Sequence, residues 1–121
     1  VVANNTQSIE AMQQLKKQAV LMKEALLRNE LDKIGDILNL GWEYKRQMAR
    51  GISTDLFEDV YKAALNAGAR GGKISGAGGG GYIFFYCPDC VRYKVIEALS
   101  NFGGKVRRFE FTKQGLQTWQ I

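Results

Sequence analysis

A run of glycine restricts this chain more than any other feature. Eight of its 14 glycines fall in Gly68-Ala-Arg-Gly-Gly-Lys-Ile-Ser-Gly-Ala-Gly-Gly-Gly-Gly81. Glycine weakens helices and strands but accepts positive φ and lets other groups come close to the backbone. The segment therefore reads as a connection whose amide groups are themselves exposed to a neighbour. With Lys73 and Ser75 beside it, an anion is the natural one.

The sequence on either side follows different periods. Ile9, Met12, Leu15, Ala19, Met22 and Leu26 recur every three or four residues, which predicts a first helix with that stripe inward, capped by Asn5 or Thr6. Asn29 and Asp32 read as a capping pair for a second helix. Leu31, Ile34, Leu38, Trp42, Lys45 and Met48 continue its period to Gly51. Ser53 or Thr54 is expected to cap a third helix, with Leu56, Val60, Ala63, Ala64 and Ala67 inward. Gly68 stands where helices commonly end in the left-handed region.

Beyond Gly68, Lys73–Ser75 is a short strand candidate and Tyr82–Tyr86, aromatic and β-branched throughout, a strong one. Pro88 and Asp89 open a helix with Val91, Val95, Ala98, Leu99 and Phe102 on one face, closed by Gly103 and Gly104. Val106–Phe111 alternates as a strand should, and Leu116–Ile121 is a last edge-strand candidate. This order predicts an α+β fold with an antiparallel sheet and helices on one face.

Composition removes several chemistries. The chain has 121 residues and no histidine, so it holds no Ser-His-Asp or Cys-His unit and no histidine-ligated metal. Its 2 cysteines cannot close a four-ligand zinc site. No apolar run reaches the ~20 residues of a membrane helix, so no membrane partner is expected. One domain over residues 1–121 is the expectation, and the absence of an initiator methionine suggests an excised segment. The net charge of +5 lies entirely in the half that carries the glycines, since residues 1–67 balance nine basic against nine acidic side chains. A phosphate binder and a solvated strand face would both show this.

Familiar glycine motifs fail on spacing or context. A P-loop needs glycine five positions before Gly72-Lys73, where Ala67 stands, and Ile74 occupies the Ser/Thr position. Gly76 to Gly81 fits G-x-G-x-x-G, but it leads into a strand instead of opening a helix. The protein-kinase glycine loop fits loosely between strands, yet its partner motif H-R-D is impossible without histidine.

Taken whole, Ser75-Gly-Ala-Gly-Gly-Gly-Gly81 between two strands, introduced by Gly68-Ala69 and Gly71-Gly72-Lys73, resembles the third motif of the galactokinase, homoserine kinase, mevalonate kinase and phosphomevalonate kinase (GHMP) superfamily. With Trp42, Lys45, Arg46 and the Ser53–Gly68 helix, the resemblance is strongest to its sugar-phosphate branch, the heptose-phosphate kinases. It implies a ferredoxin-like sandwich forming the C-terminal lobe of a two-lobed kinase. It also implies that Gly76, Ala77, Gly78 and Gly79 line the cleft by backbone, with Lys73 and Ser75 as polar contacts to substrate or phosphate. The family's Gly-Ser-rich ATP loop has no counterpart, because Ser8, Ser53, Ser75 and Ser100 are isolated. Its catalytic Asp belongs to the same N-terminal half. The resemblance thus implies no catalytic residue in this chain, with ATP and Mg²⁺ used by a longer parent and little activity in the isolated lobe. The implied partners are the missing N-terminal lobe and a sugar-phosphate substrate. A further expectation is a homo-oligomer formed through the face the absent lobe would cover.

Rival readings attach to other residues and to the loop itself. Cys87-Pro88-Asp89-Cys90 is a CxxC at a helix start, the position of a thioredoxin-like redox pair. Against it, the chain's 1 proline is Pro88, and three helices precede the strand. Reduced thiols suit a cytoplasmic protein. A non-catalytic phospholigand-binding module would also explain the basic glycine loop. Arg107 and Arg108 with Phe109 and Phe111 suggest a nucleic-acid strand, but alternation puts the two arginines on opposite faces, so no nucleic acid is expected. Lys45 or Arg46 could hold a substrate phosphate.

Overall fold

The computed structural model describes residues 2–48, 55–75 and 81–120. Four helices and two strands follow in the order α1 (Val2–Leu27), α2 (Leu31–Met48), α3 (Asp55–Asn66), β1 (Gly71–Ser75), β2 (Tyr82–Tyr86) and α4 (Arg92–Ser100). The strands pair antiparallel with Gly71 opposite Tyr86 and Ser75 opposite Tyr82. Ile74, Ile83 and Phe85 face the helices, where Trp42 of α2 and Tyr61 of α3 complete one buried cluster. Ala64, Ala69 and Val95 form a second, with Phe85, Cys87 and Leu99 against it. The fold is α+β with helices on one face of an antiparallel sheet, as the element order predicts.

Two helix ends share one device. The Ala69 N–H reaches the Ala64 carbonyl and the Gly68 N–H that of Leu65, with Gly68 at φ 115°. This six-to-one, five-to-two pair ends α3 and turns the chain into β1. At the end of α1, Glu30 bonds to Ala25 and Asn29 to Leu26 in the same way, with Asn29 at φ 57°. Asn29 therefore closes α1 and does not cap α2. The expected caps Ser53 and Thr54 lie outside the described residues. Asn5 and Thr6 lie within α1, which is already helical at Val2.

The α1 stripe differs from the expected one. Ala11, Gln18 and Ala25 are the buried residues, whereas Ile9, Met12 and Leu26 are about half exposed and Ala19 is exposed. Packing against α2 accounts for this. A Cβ on Gly41 of α2 would lie 3.0 Å from Gln18 Oε1 and 3.8 Å from Leu15 Cδ2. Helices this close leave room at the seam for alanine at Ala11 and Ala25, two turns either side of Gln18, which lies against Gly41, and the large apolar side chains are displaced outward. Leu56, expected to face inward on α3, is also exposed, and Tyr61 with Ala64 takes that role.

The C-terminal strands are the second difference. Residues 104–120 carry no ladder among the described residues, so neither Val106–Phe111 nor Leu116–Gln120 extends the sheet. Phe109 nevertheless packs on Phe84, with ring centroids 6.3 Å apart, and Phe111 meets Phe109 edge-on at 5.8 Å.

Candidate functional site

The β1–β2 hairpin carries the glycine connection at its tip. Along β1, Gly71, Gly72 and Ile74 are buried while Lys73 and Ser75 are exposed. The two-residue period of a strand puts Lys73 and Ser75 on the face turned away from Ile74, opposite Phe84 and Tyr82 of β2. Among the described residues, no carboxylate lies within ion-pair distance of Lys73. Gly81 re-enters β2 at φ 121°, and a Cβ there would lie 3.0 Å from the Ser75 carbonyl oxygen. Only glycine closes the turn at that position without strain. The predicted contacts Gly76, Ala77, Gly78 and Gly79 lie outside the described residues.

The base of the hairpin is fixed by groups that sequence reasoning did not single out. The Gly72 N–H donates to the Tyr61 hydroxyl at 3.2 Å, and that hydroxyl donates to Asn39 Oδ1 at 2.8 Å. Trp42 stacks on Tyr61 with centroids 4.6 Å apart and planes 6° from parallel. Burial pushes the Tyr61 phenol up to about 12, with the bond from Gly72 opposing and Glu43 adding to the rise. The sequence carried one signal of this, because a tyrosine on a helix's inward face needs a partner for its hydroxyl.

A second anchor lies at the same end of β1, on the residue just before it. Arg70 holds Asp36 with two bonds of 2.7 and 3.2 Å and reaches Asp32 at 3.5 Å, and the Tyr86 hydroxyl donates to Asp32 at 3.5 Å. The Asp36 hydrogen bond raises the Arg70 pKa further, and partial burial followed by the Asp32 charge raises that of Tyr86. A surface hollow of about 590 Å³ lies beside this network, lined by Glu30, Asp32, Tyr86 and Asp89 among others. It sits at the far end of the hairpin from the glycines. Arg46, a sequence candidate for phosphate, pairs instead with Glu58 of α3 at 2.9 Å and with Glu43 at 3.4 Å.

Residues 22–105 match the family described as GHMP kinases C terminal. The chain belongs to the GHMP kinases. A D-glycero-alpha-D-manno-heptose 7-phosphate kinase from Campylobacter jejuni is 41% identical over 94% of this chain, which spans 34% of that relative. A mevalonate kinase from Methanothermobacter thermautotrophicus is 44% identical over 75% of the chain, covering 29% of its own length. A Pyrococcus furiosus mevalonate kinase is 30% identical over 93% of the chain and is covered over 34%. The chain thus spans about a third of these relatives' length. All are kinases, named for different acceptors.

Within this GHMP kinase domain the structure separates two sets of sequence candidates. Lys73 and Ser75 stand together, exposed, where β1 leads into the glycine connection. The two cysteines are elsewhere, after β2. Cys87 is half-buried against Ala64, Ala69 and Val95, and burial raises its thiol pKa against the opposing pull of Arg92. That shift is opposite to the one that activates a redox thiolate. Among the described residues no group of three or more Cys, Asp or Glu could hold a metal ion, and no helix is long and apolar enough to cross a membrane.

Proposed function

We propose that residues 1–121 are the C-terminal lobe of a cytoplasmic, ATP-dependent kinase that transfers the γ-phosphoryl group to a hydroxyl of a sugar phosphate, a heptose phosphate in particular. The observation that carries this reading is the placement of Lys73 and Ser75. They share one exposed face of a strand that runs into the glycine-rich connection, in a chain that belongs to a family of kinases. An ammonium, a hydroxyl and unobstructed amides at one hairpin tip suit phosphate oxygens. Lys73 neutralises charge, Ser75 donates a hydrogen bond, and the backbone of Gly76, Ala77, Gly78 and Gly79 approaches without side chains in the way. The 41% identity to a heptose 7-phosphate kinase supports the acceptor.

ATP and Mg²⁺ belong to the parent enzyme. The described residues do not form a carboxylate set suited to Mg²⁺, so in this reading its ligands, the ATP loop and the catalytic Asp reside in the rest of the polypeptide. Phosphoryl transfer depends on positioning by many groups at once, and this lobe alone is inactive. Its share is to hold and orient phosphate.

The test is an assay of the full-length parent with ATP, offering heptose 7-phosphate and mevalonate in parallel. Preference for the heptose phosphate is expected, with Lys73→Ala lowering kcat/KM by roughly 10- to 100-fold, as loss of a charge-assisted bond to phosphate should. Turnover of mevalonate alone would reject the acceptor, and full activity of Lys73→Ala would reject the site.

A further inference from the structure

We infer that Tyr61 is a positioning residue for phosphate capture: its hydroxyl, oriented by α2, fixes the point of β1 from which Lys73 projects. The inference rests on the reading of Lys73 as a phosphate contact.

Lys73 is bracketed by two residues that both lean on Tyr61. On one side the Gly72 N–H donates to the Tyr61 hydroxyl at 3.2 Å. On the other, Ile74 is buried in the cluster of Tyr61 and Trp42. Lys73 itself is exposed, whereas Tyr61 is buried behind the strand. The phenol therefore acts on a ligand of Lys73 only through the backbone.

A hydrogen bond is needed at Gly72 because a side chain is excluded there. A Cβ on Gly72 would lie 2.5 Å from Phe85 Cδ1 and 2.6 Å from the Phe84 carbonyl oxygen. With β2 occupying that space, no side chain at this position can set the height of β1 above α3. The residue before it is also glycine, so no side chain steers the backbone into Lys73 until Ile74. The bond to Tyr61 supplies that restraint.

The hydroxyl is in turn held by α2. It donates to Asn39 Oδ1 at 2.8 Å, and the ring stacks on Trp42 with centroids 4.6 Å apart. Asn39 and Trp42 are three residues apart and so share one side of their helix. A phenol has a single proton to give, so donation to Asn39 leaves its lone pairs for Gly72. Asn39 thus orients the hydroxyl, and the hydroxyl places the strand. A charge-assisted bond to phosphate loses strength when its cation is displaced by about 1 Å, which makes such placement matter to the site.

A double-mutant cycle in the full-length parent, assayed with ATP and heptose 7-phosphate, tests this. Tyr61→Phe keeps the ring and its stack. It is expected to lower kcat/KM roughly 3- to 10-fold, chiefly through KM, as loss of one restraining hydrogen bond should. In a Lys73→Ala background the same substitution is expected to change kcat/KM by less than about twofold, since no cation remains to be placed. A merely structural role would give equal losses in both backgrounds, and that result overturns the proposal. So does an unchanged kcat/KM for Tyr61→Phe beside an impaired Lys73→Ala. Asn39→Ala, which withdraws the acceptor and leaves the phenol in place, is read by the same criterion and decides the matter if Tyr61→Phe does not fold. No turnover by the wild type, or full activity of Lys73→Ala, rejects the phosphate-site reading itself, and the positioning role falls with it.

Discussion

The Gly72 amide donates to the Tyr61 hydroxyl at 3.2 Å, tying the strand that enters the glycine connection to the helix behind it. Because Tyr61 also stacks on Trp42 and donates to Asn39, one side chain joins α2, α3 and β1. The hairpin therefore starts from a fixed base, whatever its tip binds. The stack contributes about 0.5–1.5 kcal/mol beyond area burial.

Tyr61→Phe keeps the ring stack and removes the hydroxyl, leaving the Gly72 N–H and the Asn39 amide without that partner. A loss of about 1–3 kcal/mol is expected, the cost of an unsatisfied buried group. Urea unfolding should show a lower midpoint at unchanged slope. An unchanged midpoint would mean that water replaces the hydroxyl.

Tyr61 also predicts a pH effect. Its phenol is pushed up to about 12 in the folded chain, against about 10 for an unperturbed tyrosine. The folded state therefore keeps a proton that the unfolded state loses first. The associated stability is fully present below pH 10 and is lost as pH rises towards 12, on the order of 2 kcal/mol. The difference between wild type and Tyr61→Phe should shrink across that window. A constant difference would show that the phenol is not held neutral by burial.

Gly71 and Gly104 should respond oppositely to alanine. A Cβ on Gly71 would collide with the Gly35 carbonyl and lie 2.8 Å from the Asn39 nitrogen, both backbone atoms of α2. Gly71→Ala is expected to cost at least about 1–3 kcal/mol, because α2 must move off β1. A Cβ on Gly104 meets nothing within 4 Å, so Gly104→Ala should stay within about 0.5 kcal/mol. Thermal unfolding of the two variants side by side decides it.

The thiols should differ in reactivity. Cys90 is exposed, while Cys87 is half-buried with a raised pKa. A disulfide reagent near neutral pH should modify Cys90 roughly tenfold faster than Cys87. Faster attack at Cys87 would revive the CxxC redox reading.

The isolated 121-residue chain should self-associate. Phe111, Leu116 and Trp119 are 90%, 96% and 79% exposed, and Ile9, Met12, Leu21 and Leu27 add apolar surface on α1. Sedimentation should show mass rising with concentration, and the pair Phe111→Ser with Trp119→Ser should reduce the rise. A clean monomer at high concentration would count against this association.

The hairpin was legible because both its signals are local. Tyr82–Tyr86 is a strand by side-chain type, and glycine at Gly68 and Gly81 meets a backbone requirement, φ of 115° and 121°. The pairing of Lys73 with Ser75 on one face follows from strand alternation alone. The ion pair of Arg46 with Glu58 was not legible, because the two lie on different helices and no spacing rule connects them.

The amino-acid sequence by itself determined the helices, the hairpin, the α+β class and the resemblance to a kinase family, since each rests on short-range periodicity, backbone preference or motif. Tertiary structure decided which side chains are inside. Close approach of α1 to α2 at Gly41 put Ala11, Gln18 and Ala25 at the seam in place of the expected apolar stripe. It also decided that Val106–Phe111, strand-like by pattern, has no strand partner among the described residues. A strand exists only when another strand meets its hydrogen-bonding groups, and alternation within one segment cannot supply that partner.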